Sequence, residues 1–145
     1  MRRSTAVVGV LLLLGGCTGP VRSVNVYESK AGRTAEVAAS AVQTALLAVE
    51  AADGGKAHGR YLTQVLVEAE EDATSAQGTF AAIQPPDRRA DALRVRLDGL
   101  LGEATENLAE LRIAARRGHL AELPELARPL PEVAEQLASF AEAHG

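Results

Sequence analysis

The feature that most restricts how this chain folds is the stretch from Pro86 to Gly118, a long apolar period with marked ends. Ala90, Leu93, Leu97, Leu100, Leu101, Ala104, Leu108, Leu111 and Ala115 fall, at 100° per residue, within about 60° either side of Leu97. Pro86 suits an opening turn, and Asp87 complements the positive end of a helix dipole. Arg116 and Arg117 complement the negative end, and Gly118 accepts the left-handed geometry that follows a helix. A helix this long with one apolar stripe needs other helices to cover that stripe.

The remaining chain supplies them. It is rich in Ala, Leu, Glu and Arg, has no Trp, and contains only Tyr27, Tyr61, Phe80 and Phe140 as aromatics, a composition that favours helix over sheet. The spacing of Ala35, Ala38, Ala39, Val42, Ala45, Leu46 and Val49 predicts a first helix from Ser29 or Gly32 to Ala52, stopped by Asp53-Gly54-Gly55. Leu62, Val65, Leu66, Ala69, Ala73, Ala76, Phe80 and Ile83 predict a second over Ala57–Ile83, ended by Gln84-Pro85-Pro86. Pro124, Pro129 and Pro131 cannot all lie within one regular helix. The last region therefore reads as a short piece, a bend near Arg128–Pro131, and a helix over Pro131–Ala143 with Leu130, Val133, Ala134, Leu137 and Ala141 inward. The expected fold is all-α: an antiparallel up-down four-helix bundle with a proline-broken last helix. Its alanine-rich interfaces suit axes near the lower end of the usual 8–10 Å separation.

The N-terminus points to a location. Arg2 and Arg3 precede an uninterrupted apolar run, Ala6–Leu14, closed by Leu14-Gly15-Gly16-Cys17. These are the parts of an export signal, and the run is shorter than the roughly 20 apolar residues of a spanning helix. Ser4-Thr5-Ala6 after the arginine pair lacks the usual twin-arginine continuation, so general export is expected. The ending resembles the lipobox of bacterial lipoprotein precursors. That resemblance implies recognition of Leu14, Gly15 and Gly16 by the signal peptidase, cleavage before Cys17, and acyl chains such as palmitate on Cys17. It also implies a membrane partner on the extracytoplasmic side. Cys17 is the only cysteine, which excludes an internal disulfide. The organisation expected is a signal peptide over 1–16, a lipidated N-terminus and tether over 17–29, and the helical bundle domain over 30–145. Thr18–Ser29, with Gly19-Pro20 and β-branched Val21, Val24 and Val26, would span about 40 Å if extended; Val24 and Val26 lying along the bundle is the alternative. The stretch Gln84–Leu120, together with the lipobox, resembles segments of small actinobacterial envelope lipoproteins, a likeness that carries no activity with it.

Charge and motif content narrow the function. The net charge is −4, and about −6 once two arginines leave with the signal, against the basic surface that nucleic-acid binding needs. His58, His119 and His144 sit by helix ends, and the residues three before them are Gly55, Arg116 and Ala141, so the Glu-x-x-His ligand pair of di-iron bundles is absent. H-E-x-x-H, Walker A, G-x-S-x-G and paired-cysteine spacings are absent too. No enzyme activity, cofactor or metal is expected. Glu68, Glu70, Glu71 and Asp72 spread around a helix and read as a solvated face.

One irregularity remains. Val95, Gly99, Gly102, Ala109 and Ile113 project about 120–200° from Leu97, opposite the apolar stripe and interrupted by Glu106. Two glycines inside a helix cost about 0.5–1 kcal/mol each relative to alanine. Small residues admit a close neighbour, so this back face is the candidate contact for an envelope partner or a second copy. The function expected is a lipid-anchored, non-catalytic interaction module of the cell envelope. The alternative is a carrier holding a small molecule or metal between its helices.

Overall fold

The computed structural model describes residues 23–57 and 59–145. Among them all regular structure is helical: α1 (Val24–Asp53), α2 (Gly59–Ala81), α3 (Arg88–Arg116), a 3-10 turn (Leu120–Glu122), α4 (Leu123–Leu126) and α5 (Leu130–His144). The expected α3 is present and ends where expected, but Pro86, expected in its opening turn, lies before it. The Asp87 carboxylate accepts from the backbone amides of Arg89 at 2.9 Å and Ala90 at 3.0 Å, which fixes the start. At the far end Gly118 takes φ +79, as Gly55 takes φ +68 after α1.

The first helix starts earlier than expected. Ser29 or Gly32 was the expected onset after a tether over 17–29, yet residues 24–29 are helical. Ser23 is the N-cap, its hydroxyl accepting from the Val26 amide at 3.4 Å. Tyr27, four residues in, is fully buried with its ring 5.3 Å from that of Phe80. That burial outweighs the weak helix preference of Val24 and Val26. The helical domain therefore begins at residue 24 instead of 30, and Val24 and Val26 lie along it.

α1 is also the helix around which the others gather. It packs closely against α5 and α2 and touches α3 and α4, while α3 touches α2, α4 and α5. Its buried positions are mostly alanine, from Ala31 to Ala48, which lets neighbouring axes come close. Close approach is evident at Gly32: a Cβ there would lie 2.8 Å from the backbone C and O of His144. Leucines of α2, α3 and α5 with Phe80 and Phe140 fill the space between. Leu93, Leu100 and Val65 are only partly buried, at the edge of that core.

The prolines divide the last region as expected. Pro124 opens α4 and Pro131 lies in the first turn of α5, positions where the missing amide hydrogen has no helical partner to lose. α4 anchors itself through buried Leu123, with Ala127 just beyond it.

Candidate interaction surfaces

The structure places the five back-face residues of α3 on one solvent-facing line. Val95 is 74% exposed and Ile113 39%. Gly99 and Gly102 have open space where a Cβ would stand, with nothing within 4 Å. Ala109 is half-buried and Glu106 exposed. Val95 and Ile113 are 18 residues apart, about 27 Å along the axis, so they end a strip of small residues and do not form one compact patch.

A second surface escaped the sequence reading. α1 carries exposed Val26 and Val37 on the flank of its buried face and Leu47, 67% exposed, opposite it. Between α1 and α2 lies an open furrow of about 350 Å³ whose lining includes Val37, Ala41, Thr44, Val65 and Ala69. Leu47 is one turn beyond Thr44, and Tyr61, 66% exposed, is one turn before Val65, so both lie nearer the α1–α2 connection than the furrow does. Glu36, Glu68 and Asp72 also line it. The signal was present in the sequence: Val26, Val37, Thr44 and Leu47 follow one another at helical spacing, off the alanine stripe.

The polar contacts fasten helices to one another. Arg94 of α3 donates to the carbonyls of Ala81 at 2.8 Å and Ile83 at 3.2 Å, placing a cation on the negative end of α2, and pairs with Asp98 at 3.5 Å. Arg112 grips Glu70 of α2 with Nε and with Nη2, the latter at 3.2 Å from Oε1. Donation to the Glu70 carboxylate raises the Arg112 pKa above its already high value, and that guanidinium stays charged throughout the accessible range. The acidic run of α2 is thereby divided: Glu70 faces α3, Glu68 accepts from Gln64 at 2.9 Å, and Glu71 and Asp72 are exposed.

The histidines do not converge. His119 lies 3.6 Å from the Glu122 carboxylate, the His144 ring lies tilted against that of Phe140 with centroids 4.5 Å apart, and His58 is outside the described residues. Among the described residues no group of three or more His, Cys, Asp and Glu side chains is arranged to hold a metal ion. Tyr27 is the one buried polar side chain there without a hydrogen-bond partner. Burial pushes its pKa up, Arg94 opposes that shift, and Asp98 and Asp91 add to it.

α1 is long and apolar enough to cross a membrane by length and composition, although nearly half of that stretch is buried inside the fold. Leu14, Gly15, Gly16 and Cys17 lie outside the described residues. Comparison with protein-family models, with curated proteins and with solved structures finds no match to the chain.

Proposed function

We propose that the chain is a lipid-anchored, extracytoplasmic helical module that acts by holding another component of the cell envelope, without catalysis. The lipobox Leu14–Cys17 is the basis for the anchor, and the helices are read as an up-down four-helix bundle with α1 as its core strut. In that reading α1 does not span the membrane, because its buried alanine face is already occupied by α2 and α5.

The observation that carries the binding role is the exposure of three large apolar side chains of α1 and α2: Val37 on the furrow between them, and Leu47 and Tyr61 nearer the α1–α2 connection. Large exposed apolar side chains gathered on one face mark contact surfaces, whereas scattered ones do not. The strip on α3 is the secondary contact.

Native mass spectrometry of the protein extracted from its own membrane in mild detergent tests the proposal. The expected species is residues 17–145 carrying acyl chains, together with a complex of higher mass that Leu47→Glu dissociates. An unacylated or differently cut N-terminus overturns the anchor. An acylated monomer with no associated protein, in cross-linked and uncross-linked samples alike, overturns the binding role.

A further inference from the structure

The two walls of the α1–α2 furrow carry charge of one sign only. From Thr34 to Gly55, along α1 and just past its end, the chain has no Lys, Arg or His, and none occurs from Tyr61 to Pro86, along α2 and its turn. Glu36, Glu68 and Asp72 line the furrow itself. All three are exposed, and none is in an ion pair among the described residues. Glu70, close to them in sequence, turns to Arg112 of α3 instead. Arg33, one turn before Glu36, is the nearest base along α1 and pairs with none of them.

Tyr27 against Phe80 fixes the antiparallel register of α1 and α2. Equal rise along both helices then sets Glu36 about level with Asp72, Ser40 with Glu68 and Thr44 with Val65. The carboxylates are therefore gathered toward one half of the furrow. Its floor is apolar: Ala41 and Ala69 are buried there, between exposed Val37 and half-buried Val65. From Glu36 to Thr44 the α1 wall runs about 12 Å, room for about two turns of a helix.

An apolar floor beneath uncompensated carboxylates complements Lys and Arg, whose methylene stems lie along apolar surface while the charged head stays in water. We propose that the furrow receives a basic amphipathic helix of a partner protein. Its Lys or Arg stems lie along the valines and alanines of the floor, and their charges stand among Glu36, Glu68 and Asp72. This inference rests on the binding role proposed above and names the chemistry of the partner. Complementary charge of this kind selects the partner and speeds the encounter, while the apolar stems exclude water from the floor.

The test titrates the full acylated chain, in mild detergent, with a fluorescein-labelled helical peptide of lysine, leucine and alanine, and with its twin carrying glutamate in place of lysine. Fluorescence anisotropy reads the binding. The lysine peptide is expected to bind and the glutamate twin not. E36Q/E68Q/D72N is expected to weaken binding about tenfold, roughly two- to threefold per carboxylate, and raised salt to act the same way. E103Q/E106Q/E110Q removes the same charge from the solvent face of α3 and is expected to change the affinity less than about twofold, being screened from the furrow. All six side chains are exposed, so helicity serves as the folding control. No binding of the lysine peptide, equal binding of its twin, or equal weakening by the two triple variants overturns the proposal. Displacement of the peptide by an equal concentration of spermidine assigns the furrow to a small polycation and overturns it likewise. The native complex separates this proposal from the binding role itself. A partner that stays on E36Q/E68Q/D72N but leaves with Leu47→Glu overturns the basic helix while the binding role stands, whereas absence of any complex with the parent chain overturns both.

Discussion

Gly32 of α1 and His144 of α5 meet backbone to side-chain-free backbone: a Cβ on Gly32 would lie 2.8 Å from the His144 carbonyl and 2.9 Å from the amide nitrogen of Gly145. No atom in that contact is the free end of a flexible side chain. Gly32→Ala therefore has to displace the last turn of α5, and the loss is expected to exceed the gain in helix propensity, for a net destabilisation of about 1–2 kcal/mol. Thermal unfolding measures the net effect, and hydrogen exchange should show faster opening in the last turn of α5.

Gly99→Ala and Gly102→Ala should behave in the opposite way. Both sites are helix interior with open space at the Cβ position, so each substitution is expected to stabilise by about 0.5–1 kcal/mol. An unchanged or lowered midpoint in urea would mean that something already packs against this face of α3. If association also depends on close approach there, Gly99→Leu weakens it without lowering stability.

Much of this architecture was legible in the chain, for reasons that differ by element. α3 declared itself because stripe, cap and terminator agree: Asp87 caps, Gly118 terminates, and Leu97, Leu101, Ala104, Leu108 and Leu111 between them are all buried. The α1 onset did not, because its cause is not local. Ser23 is a modest cap, the valines after it have weak helix preference, and the deciding contact is Tyr27 with Phe80, more than fifty residues away. Phe140 was likewise absent from the expected inner face of α5, yet it is buried, with the Arg96 guanidinium 5.5 Å from its ring centroid. The exposed valines and leucine of α1 are faint in the sequence because Val26, Val37 and Leu47 follow a sparser period than the alanine stripe beside them. A long-range partner, or a face opposite the core, is what a one-dimensional period registers least.

The pairing of Arg112 with Glu70 ties α2 to α3 with both side chains less than a quarter exposed. A double-mutant cycle with Arg112→Ala and Glu70→Ala is expected to give a coupling of about 1 kcal/mol, at the upper end of the range for exposed pairs. Adding salt should reduce it only partly, since a half-buried pair is less screened than a solvated one. Coupling indistinguishable from zero would show that solvent competes successfully for both groups.

On the surface, Leu47→Glu and Ile113→Glu separate the two candidate contacts. Both side chains are exposed, so each variant should keep its helicity and unfold within about 0.5 kcal/mol of the parent. Loss of the co-extracted partner with Leu47→Glu alone assigns binding to the α1–α2 surface; loss with Ile113→Glu alone assigns it to α3. A fall in helicity accompanying either loss would mean that the side chain supports the fold and is no contact residue.

Tyr27 gives the fold a dependence on alkaline pH. Its hydroxyl is buried without a partner, and burial raises its pKa above the usual value of about 10. The unfolded chain therefore releases this proton at lower pH than the folded one. The stability associated with the neutral phenol is complete below about pH 10 and is lost as pH rises through the folded value, by at most about 1.4 kcal/mol per pH unit. Tyr27→Phe removes the ionisable group while keeping the ring against Phe80. It also removes an unsatisfied buried hydroxyl, whose desolvation costs about 1–3 kcal/mol. The variant is expected to be at least as stable as the parent at pH 8 and distinctly more stable above pH 10, measured by urea unfolding at each pH. Equal alkaline loss in both proteins would place the titrating group elsewhere, with exposed Tyr61 excluded by the matching Tyr61→Phe control.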